Sequence, residues 1–598
     1  MAHAERTPRD LSERRTRHLA PLLALALFAC GGDDAEGVET VPNPARRELR
    51  EIVLLSPPAA TNQPGLFSSG GPSLRDVLDR LEEARTDEHT AGLFIRLGPM
   101  PGSWGAIGDI AEAIQAVRDA GRPVHCHFEM LDNAGYALAA RACDRLTVTP
   151  AGMLDAVGVA AQVFYMRSLL AELGIVADIA HEGRFKDAAE PLVRDDMSPE
   201  TRESLGALLD DVHAVLIDAI VAGRHLTAEE AQAAIDAGPH DSATALGLRL
   251  VDAVEFDDEA ITRAREACGA TRNLVVELEP PHEPATLGDL LAAMSGEAPA
   301  EEVEGPRIVL AYLEGAITDG EEEGMSTADA GPFVRGMREL AEDDDVRAVV
   351  LRIDSPGGSA LASDRMWHAV RRVAARVPVI VSVGDVAASG GYYIAVAGHE
   401  IFAHPGSIVG SIGVVGGKVS IAPLMEEHGM HVETLTRGRH AGWSTLTALW
   451  TEEERAVVER LMHSTYERFV SRVAEGRHME WNRVLELAEG RVWSGADGLE
   501  RGLVDQYGGI RAAIARARER AGVGEEIPVV EWPAERTMLD AIADSVGGGS
   551  SAHARTGVHA ALRDLVDLPA PLASAMSLAT MLEGEHVLVT MPVVLEIR

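Results

Sequence analysis

The sequence predicts an α/β protein built twice: two tandem copies of one domain, each with a mostly parallel, buried sheet flanked by helices. Three observations lead there. Short blocks recur in one order at a nearly constant spacing. β-Branched apolar runs alternate with helix-length stretches. And 598 residues are too many for one hydrophobic core.

The repeat comes first. Ile52-Val53-Leu54 returns as Ile308-Val309-Leu310, 256 positions on, Ile95-Arg96-Leu97 as Leu351-Arg352-Ile353, and Gly135-Tyr136 as Gly391-Tyr392. After a one-residue slip near Cys143, Gly183-Arg184 is answered by Gly438-Arg439. Gly223-Arg224-His225 then matches Gly476-Arg477-His478, and Leu250-Val251-Asp252 matches Leu503-Val504-Asp505. Six blocks in one order are a duplication, not a coincidence.

Within the second copy the pattern predicts a strand over 308–313, a helix over 332–341, a strand over 346–353, a helix over 361–375 and a strand over 378–383. Short apolar strands joined by helices imply parallel strands buried on both faces. The last strand is expected to break at Gly384-Asp385, and an apolar helix to begin near Tyr392. Long helices over 452–475 and 510–521 close the copy. Residues 280–306, rich in Pro, Glu and Ala, read as a linker with one short helix at 287–294. The chain thus divides into 1–30, a signal; 31–50, a polar tether; 51–279 and 307–524, the two copies; and 525–598, an extension. That extension carries a Gly/Ser-rich break at 547–551 and a strand-like 587–597.

The net charge of −40, from 54 basic and 94 acidic residues, argues against binding nucleic acid or docking electrostatically on anionic lipid. At the N-terminus, Arg14, Arg15, Arg17 and His18 precede a short apolar run over 19–29. That run is too short to span a membrane, and it ends in Ala29-Cys30. It resembles a bacterial lipoprotein signal, although Phe28 departs from the small or β-branched residue usual at that slot. Cleavage before Cys30 would leave a lipid-modified N-terminal cysteine facing the periplasm or exterior. No later stretch reaches 18 uninterrupted apolar residues. Cys126, Cys143 and Cys268 cannot all pair, lie in no CxxC or His cluster, and read as core or incidental cysteines; no metal or cofactor is expected.

The chemistry concentrates at Ser389-Gly390-Gly391. A serine at the mouth of a strand-to-helix turn has backbone N–H groups and a positive helix end beside it, which suits a nucleophile whose substrate develops an oxyanion. The same serine could simply cap a helix. The duplication separates the two readings. Opposite Ser389 lies Asn133, and opposite Asp354-Ser355-Pro356-Gly357-Gly358 lies Gly98-Pro99-Met100-Pro101-Gly102. Conversely Lys186 faces Ala441. One copy has a hydroxyl without a base, the other an amine without a hydroxyl, as a composite site between the copies would leave them.

The stretches RFKDAAEPLVRDDMSPE (184–200), RIDSPGG (352–358), AASGGYYIA (387–395) and GSIGVVGG (410–417) resemble the long, two-domain signal peptide peptidase A family, from about Glu51 to about Gly522. The resemblance implies a ClpP/crotonase-like fold in each copy, a Ser/Lys dyad and a bowl-shaped homotetramer with interior active sites. It implies Ser389 as nucleophile, Lys186 as general base, Ser411 orienting the amine, and Gly390 with the Gly357-Gly358 turn as oxyanion hole. The substrates it implies are short apolar peptides, remnant signal peptides among them. Where long members carry a membrane helix, this chain carries the lipoprotein-like signal. A catalytically silent peptide- or protein-binding scaffold is the rival; an enoyl-CoA hydratase-like enzyme would need acidic catalytic residues.

A lysine of ordinary pKa, about 10.4, is a poor base at neutral pH and must be desolvated. Phe185, Ala188 and Ala189 are suited to do that, with Arg184 and Asp187 expected to point outward. His399 and His404, in a loop-like segment beyond the apolar helix, are the weaker candidates for a base. The acidic runs at 321–323 and 342–345 read as solvated loops, and DSPGG lacks the lysine of a phosphate loop.

Overall fold

In the computed structural model the described residues are 47–59, 72–278, 305–320, 327–533, 588–590 and 596–597. The expected signal with Cys30, most of the tether, the helix expected at 287–294 and the glycine-rich break lie outside them. Residues 46–598 form one unit.

The first copy's sheet runs, in spatial order, Arg272–Val275, Glu48–Leu54, Thr90–Leu97, Val124–Asp132 and Arg145–Asp155, all parallel. His240–Asp241 adds antiparallel at the edge. Its first strand begins inside the stretch expected to be tether. The second copy repeats the order with Val529–Trp532, Arg307–Glu314, Val346–Ser355 and Val379–Ala388, and then Ile408–Gly410 with an antiparallel edge, Val492–Ser494. Leu93, Ile95 and Leu97 are buried in the first sheet, and Val349, Leu351 and Ile353 in the second. Helices on both faces leave no polar alternation, which is why these strands read as continuous apolar runs.

The duplication extends to single bonds. The Tyr136 hydroxyl donates to the Leu250 carbonyl at 2.8 Å, and the Tyr392 hydroxyl to that of Leu503 at 2.8 Å. Arg224 pairs with Asp252 at 2.7 Å and Arg477 with Asp505 at 2.7 Å. Each of those carboxylates accepts one strand N–H, from Leu146 or Ile401, at 2.7 Å.

A third sheet joins the copies. It runs Thr327–Asp329, Ala316–Thr318, Gly357–Ser359, Leu588–Thr590, Val414–Ser420 and Val176–Glu182. Val176–Glu182, from the first copy, lies antiparallel to Val414–Ser420, from the second, in unbroken register from Val414↔Glu182 to Ser420↔Val176. Elsewhere between the copies, Arg352 donates to the Asp109 carboxylate at 2.7 Å, both side chains at most 3% exposed. The second Asp109 oxygen accepts the Ile510 N–H at 2.7 Å. Such a pair tolerates burial because both partners are fully hydrogen-bonded, and losing one alone would strand a buried charge.

Two expectations are corrected. The strand predicted to end at Val383 continues to Ala388. Gly384 is no breaker; its Cα faces the Asp354 carboxylate, where a Cβ would come within 2.8 Å of Oδ2. Asp354 then accepts the N–H groups of Asp385 at 3.3 Å and Val386 at 3.1 Å, carrying the strand past the irregularity. The second correction concerns the cysteines. Cys126 and Cys143 form a disulfide, while Cys268 is free and buried. Cys126 lies on strand Val124–Asp132 and Cys143 caps the helix Asn133–Ala142 that follows, so the chain reversal brings them together. Closing a loop of 17 residues is worth about 3 kcal/mol through the unfolded state. The double variant Cys126→Ala/Cys143→Ala should therefore lose about that much in chemical denaturation; an unshifted midpoint would show that the bridge adds nothing.

Candidate active site

Ser389 sits between strand Val379–Ala388 and helix Gly390–Ala395, with φ 54° and ψ −111°. A side chain in that region costs on the order of 1–3 kcal/mol and is held by its surroundings. Here the holding is visible. The Ser389 N–H donates to the Gly410 carbonyl at 2.7 Å. A Cβ at Gly390 would stand 2.6 Å from Ser363 Oγ and 3.1 Å from Gly357 Cα, and one at Gly391 would stand 2.7 Å from the Ser355 carbonyl. The two glycines let the turn close onto the 355–363 segment. Ser389 is fully buried, and no side chain caps its helix.

Lys186 reaches this turn from the other copy. The strand pairing of Val176–Glu182 delivers the segment, and a loop of the second copy seats it. The Phe185 N–H donates to the Glu489 carbonyl at 2.6 Å, and the Gly490 N–H to that of Ile412 at 2.8 Å. Gly490 has φ +81°, and a Cβ there would lie 2.5 Å from Lys186 N. The close approach and the left-handed backbone both require glycine. Lys186 Nζ then lies 2.8 Å from Ser389 Oγ, 2.9 Å from the Ser411 carbonyl and 3.0 Å from Ser411 Oγ. Ser411 is itself fixed at φ 51°, its N–H donating to the Arg491 carbonyl at 2.8 Å.

Lys186 is 3% exposed, among buried Phe185, Ala188 and Ala189. Desolvation of its cation lowers the Lys186 pKa to about 7, against the opposing pull of Asp187. A neutral amine at this distance has a lone pair to offer the Ser389 hydroxyl proton, while Ser411 accepts its remaining N–H groups. Arg184 is exposed as expected, its guanidinium over the Phe185 ring at 4.4 Å, with that of Arg491 at 5.1 Å. Asp187 is not turned outward. It is half-buried beside Thr201, and its carboxyl is pushed up to about 6 by burial.

Gly357 and Gly390 converge at the turn, and Gly357 takes φ +99°. The Gly357 N–H already donates to Ser355 Oγ at 3.2 Å, a long bond that a better acceptor could displace. Gly358 packs on Ile317 of the neighbouring strand, where a Cβ would fall 2.7 Å from Ile317 N. The structure thus gathers Ser389, Lys186, Ser411, Gly390 and Gly357, with Gly358 one residue along the same strand. The Glu489-Gly490-Arg491 seat was missed in the sequence; a glycine beside charged residues carries no signal of what it packs against.

The histidines lie elsewhere. His399 Nδ1 accepts the Val379 N–H at 3.0 Å, and His404 lies against Asp109 at 3.6 Å. In the first copy Asn133 is a staple: its Oδ1 accepts from Val157 and Gly158, and its Nδ2 donates to the Gly158 carbonyl, each at 3.0 Å. Ala441, opposite Lys186, is exposed.

The description "Peptidase family S49" matches residues 116–271 and again 371–524, one segment in each copy. The chain is 29% identical over 517 residues to "Serine protease SPPA, chloroplastic" of Arabidopsis thaliana, covering 83% of this chain and 73% of that protein. It is 30% identical over 514 residues to "Protease 4" of Salmonella typhi, covering 84% and 80%. "Protease 4" of Haemophilus influenzae is 27% identical over 475 residues, covering 76% and 75%.

Proposed function

Because the chain belongs to peptidase family S49, as a long two-domain member of the signal peptide peptidase A type, we propose that it hydrolyses short apolar peptides with a Ser389/Lys186 dyad. One observation carries the reading. A buried lysine amine of pKa about 7 lies 2.8 Å from a serine hydroxyl held on a strained turn, each group supplied by a different copy.

In this reading neutral Lys186 accepts the Ser389 proton as Oγ attacks the scissile carbonyl. The oxyanion meets the N–H of Gly390 and the Gly357-Gly358 turn. The lysine, now an ammonium held by Ser411, returns its proton to the leaving amine. Water then repeats the cycle on the acyl-enzyme, with Lys186 again as base. Residues 51–279 supply the lysine and 307–524 the serine.

The protein works in the cell envelope, anchored through a lipid on Cys30 and assembled as a homotetramer, with remnant signal peptides among its substrates. The Cys126–Cys143 disulfide supports an oxidising compartment, where such bridges persist. Two measurements test the reading. A fluorophosphonate probe should label Ser389, located by peptide mass; labelling elsewhere, or none, removes the nucleophile and favours a silent binding scaffold. Intact mass of membrane-purified protein should show a chain beginning at acylated Cys30; an intact Met1 terminus removes the anchor.

A further inference from the structure

The first copy brings more than a base to Ser389. Its helix Trp104–Asp119 lies against the two strands of the second copy that end in the site. Ser103, which precedes that helix, makes no side-chain cap. The cap comes from the other copy: the Gly105 N–H donates to Asp385 Oδ1 at 2.6 Å, and the Ala106 N–H bonds the same carboxyl group. These are donors that have no partner within the helix. The contact is backbone on backbone, since a Cβ on Gly105 would stand 2.4 Å from the Gly384 carbonyl oxygen. One turn on, Asp109 accepts from Arg352 at 2.7 Å. Another nitrogen of that guanidinium donates to Ser382 Oγ at 2.9 Å and to the Val383 carbonyl at 3.0 Å.

These contacts fall where they can act on the chemistry. Asp385 and Ser382 lie on strand Val379–Ala388, which runs straight into Ser389. Arg352 lies on strand Val346–Ser355, which runs into the Gly357-Gly358 turn. Asp354 ties the two strands together by accepting the N–H groups of Asp385 and Val386. A shift of the helix is therefore passed on to both. The duplication shows that the joint is one-sided. Arg96, the counterpart of Arg352, pairs inside its own copy with Asp257 at 2.7 Å. Glu129, opposite Asp385, is exposed. Opposite Gly105 stands the exposed Leu361, and opposite Asp109 stands Arg365. The clamp is built on the copy that carries the nucleophile.

We propose that Asp385 and Gly105 are positioning residues: through them the first copy's helix holds Ser389 and the Gly357-Gly358 turn in reacting register. The proposal rests on the assignment of Ser389 as nucleophile given above. A displacement of about 1 Å at a reacting group costs on the order of 10²-fold in rate. Loss of register lowers kcat, whereas loss of a substrate-binding contact raises KM.

Four variants of the full-length protein test it. Hydrolysis of a chromogenic apolar peptide is counted per Ser389 labelled to completion by a fluorophosphonate, so that unfolded molecules do not enter. Gly105→Ala adds a methyl group that the Gly384 carbonyl cannot accommodate, although alanine is the better helix former. It should lower kcat about 10²-fold, leave KM within about threefold, and slow labelling in parallel. Asp385→Ala, which removes the cap, should do the same. Asp385→Asn, which keeps an acceptor oxygen for Gly105, should restore kcat to within about threefold of wild type. Gly206→Ala is the same change in another first-copy helix, with nothing within 4 Å, and should match wild type. Wild-type kcat in Gly105→Ala, or equal losses in Asp385→Asn and Asp385→Ala, overturns the positioning role while a labelled Ser389 stands. If wild type does not label at Ser389, the nucleophile assignment falls, and this proposal with it.

Discussion

Ser389→Ala should lower kcat for peptide hydrolysis by about 10⁵- to 10⁶-fold, the loss seen when a nucleophile acting in concert with its base is removed. The substitution deletes one oxygen from a turn whose shape is set by backbone bonds and by the packing of Gly390 and Gly391 on residues 355–363. Alanine suffers at φ 54° much as serine does, so strain barely changes. Lys186 keeps its two contacts with Ser411, at 2.9 and 3.0 Å. Melting temperature and assembly should therefore stay near wild type while turnover disappears. Adding Lys186→Ala to Ser389→Ala should cost almost nothing further, because the two groups act as one unit. Residual turnover of Ser389→Ala within a few-fold of wild type would place the nucleophile elsewhere.

The sequence made the duplication legible, and the duplication made the candidate site legible. Asn133 against Ser389 and Ala441 against Lys186 are differences that only an internal comparison exposes. The parallel sheets were readable too, since strands such as Thr90–Leu97 and Val346–Ser355 are mostly buried and carry apolar cores, Leu93 to Ile95 and Ala348 to Leu351, with no polar alternation. What escaped was set by contacts distant in sequence. Gly384 read as a breaker because nothing near it reveals that Asp354, thirty positions earlier, lies against its Cα. The odd number of cysteines hid a pair that the strand–helix reversal brings together. Asp187 was expected in water because it is charged, yet the packing of the segment against Thr201 half-buries it. The strand at 588–590 was visible as strand-like, but its partners lie more than 170 residues away.

Lys186→Arg should be as inactive as Lys186→Ala, because a guanidinium stays protonated at any working pH and cannot accept the serine proton. The wild-type pH profile supplies the companion test. With the amine lowered to about 7 by desolvation, kcat/KM should rise about tenfold per pH unit below that value and level off above it. Asp187, titrating near 6, becomes negative just below this range and pulls the lysine pKa upward, so Asp187→Asn should move the rise to lower pH. Stability should follow the same lysine. The unfolded chain holds that proton up to about 10.4, the folded one only to about 7, so between these values the unfolded state binds more protons and stability increases with pH. Below pH 7 the fold carries the full cost of a buried cation. Lys186→Met, isosteric along its stem and never charged, should therefore raise the melting temperature most at acidic pH and least near pH 10. Measuring Tm for both proteins across pH 5–10 decides it. A constant difference would mean the amine is not desolvated in the folded protein, and activity in Lys186→Arg would mean that the proton goes to another group.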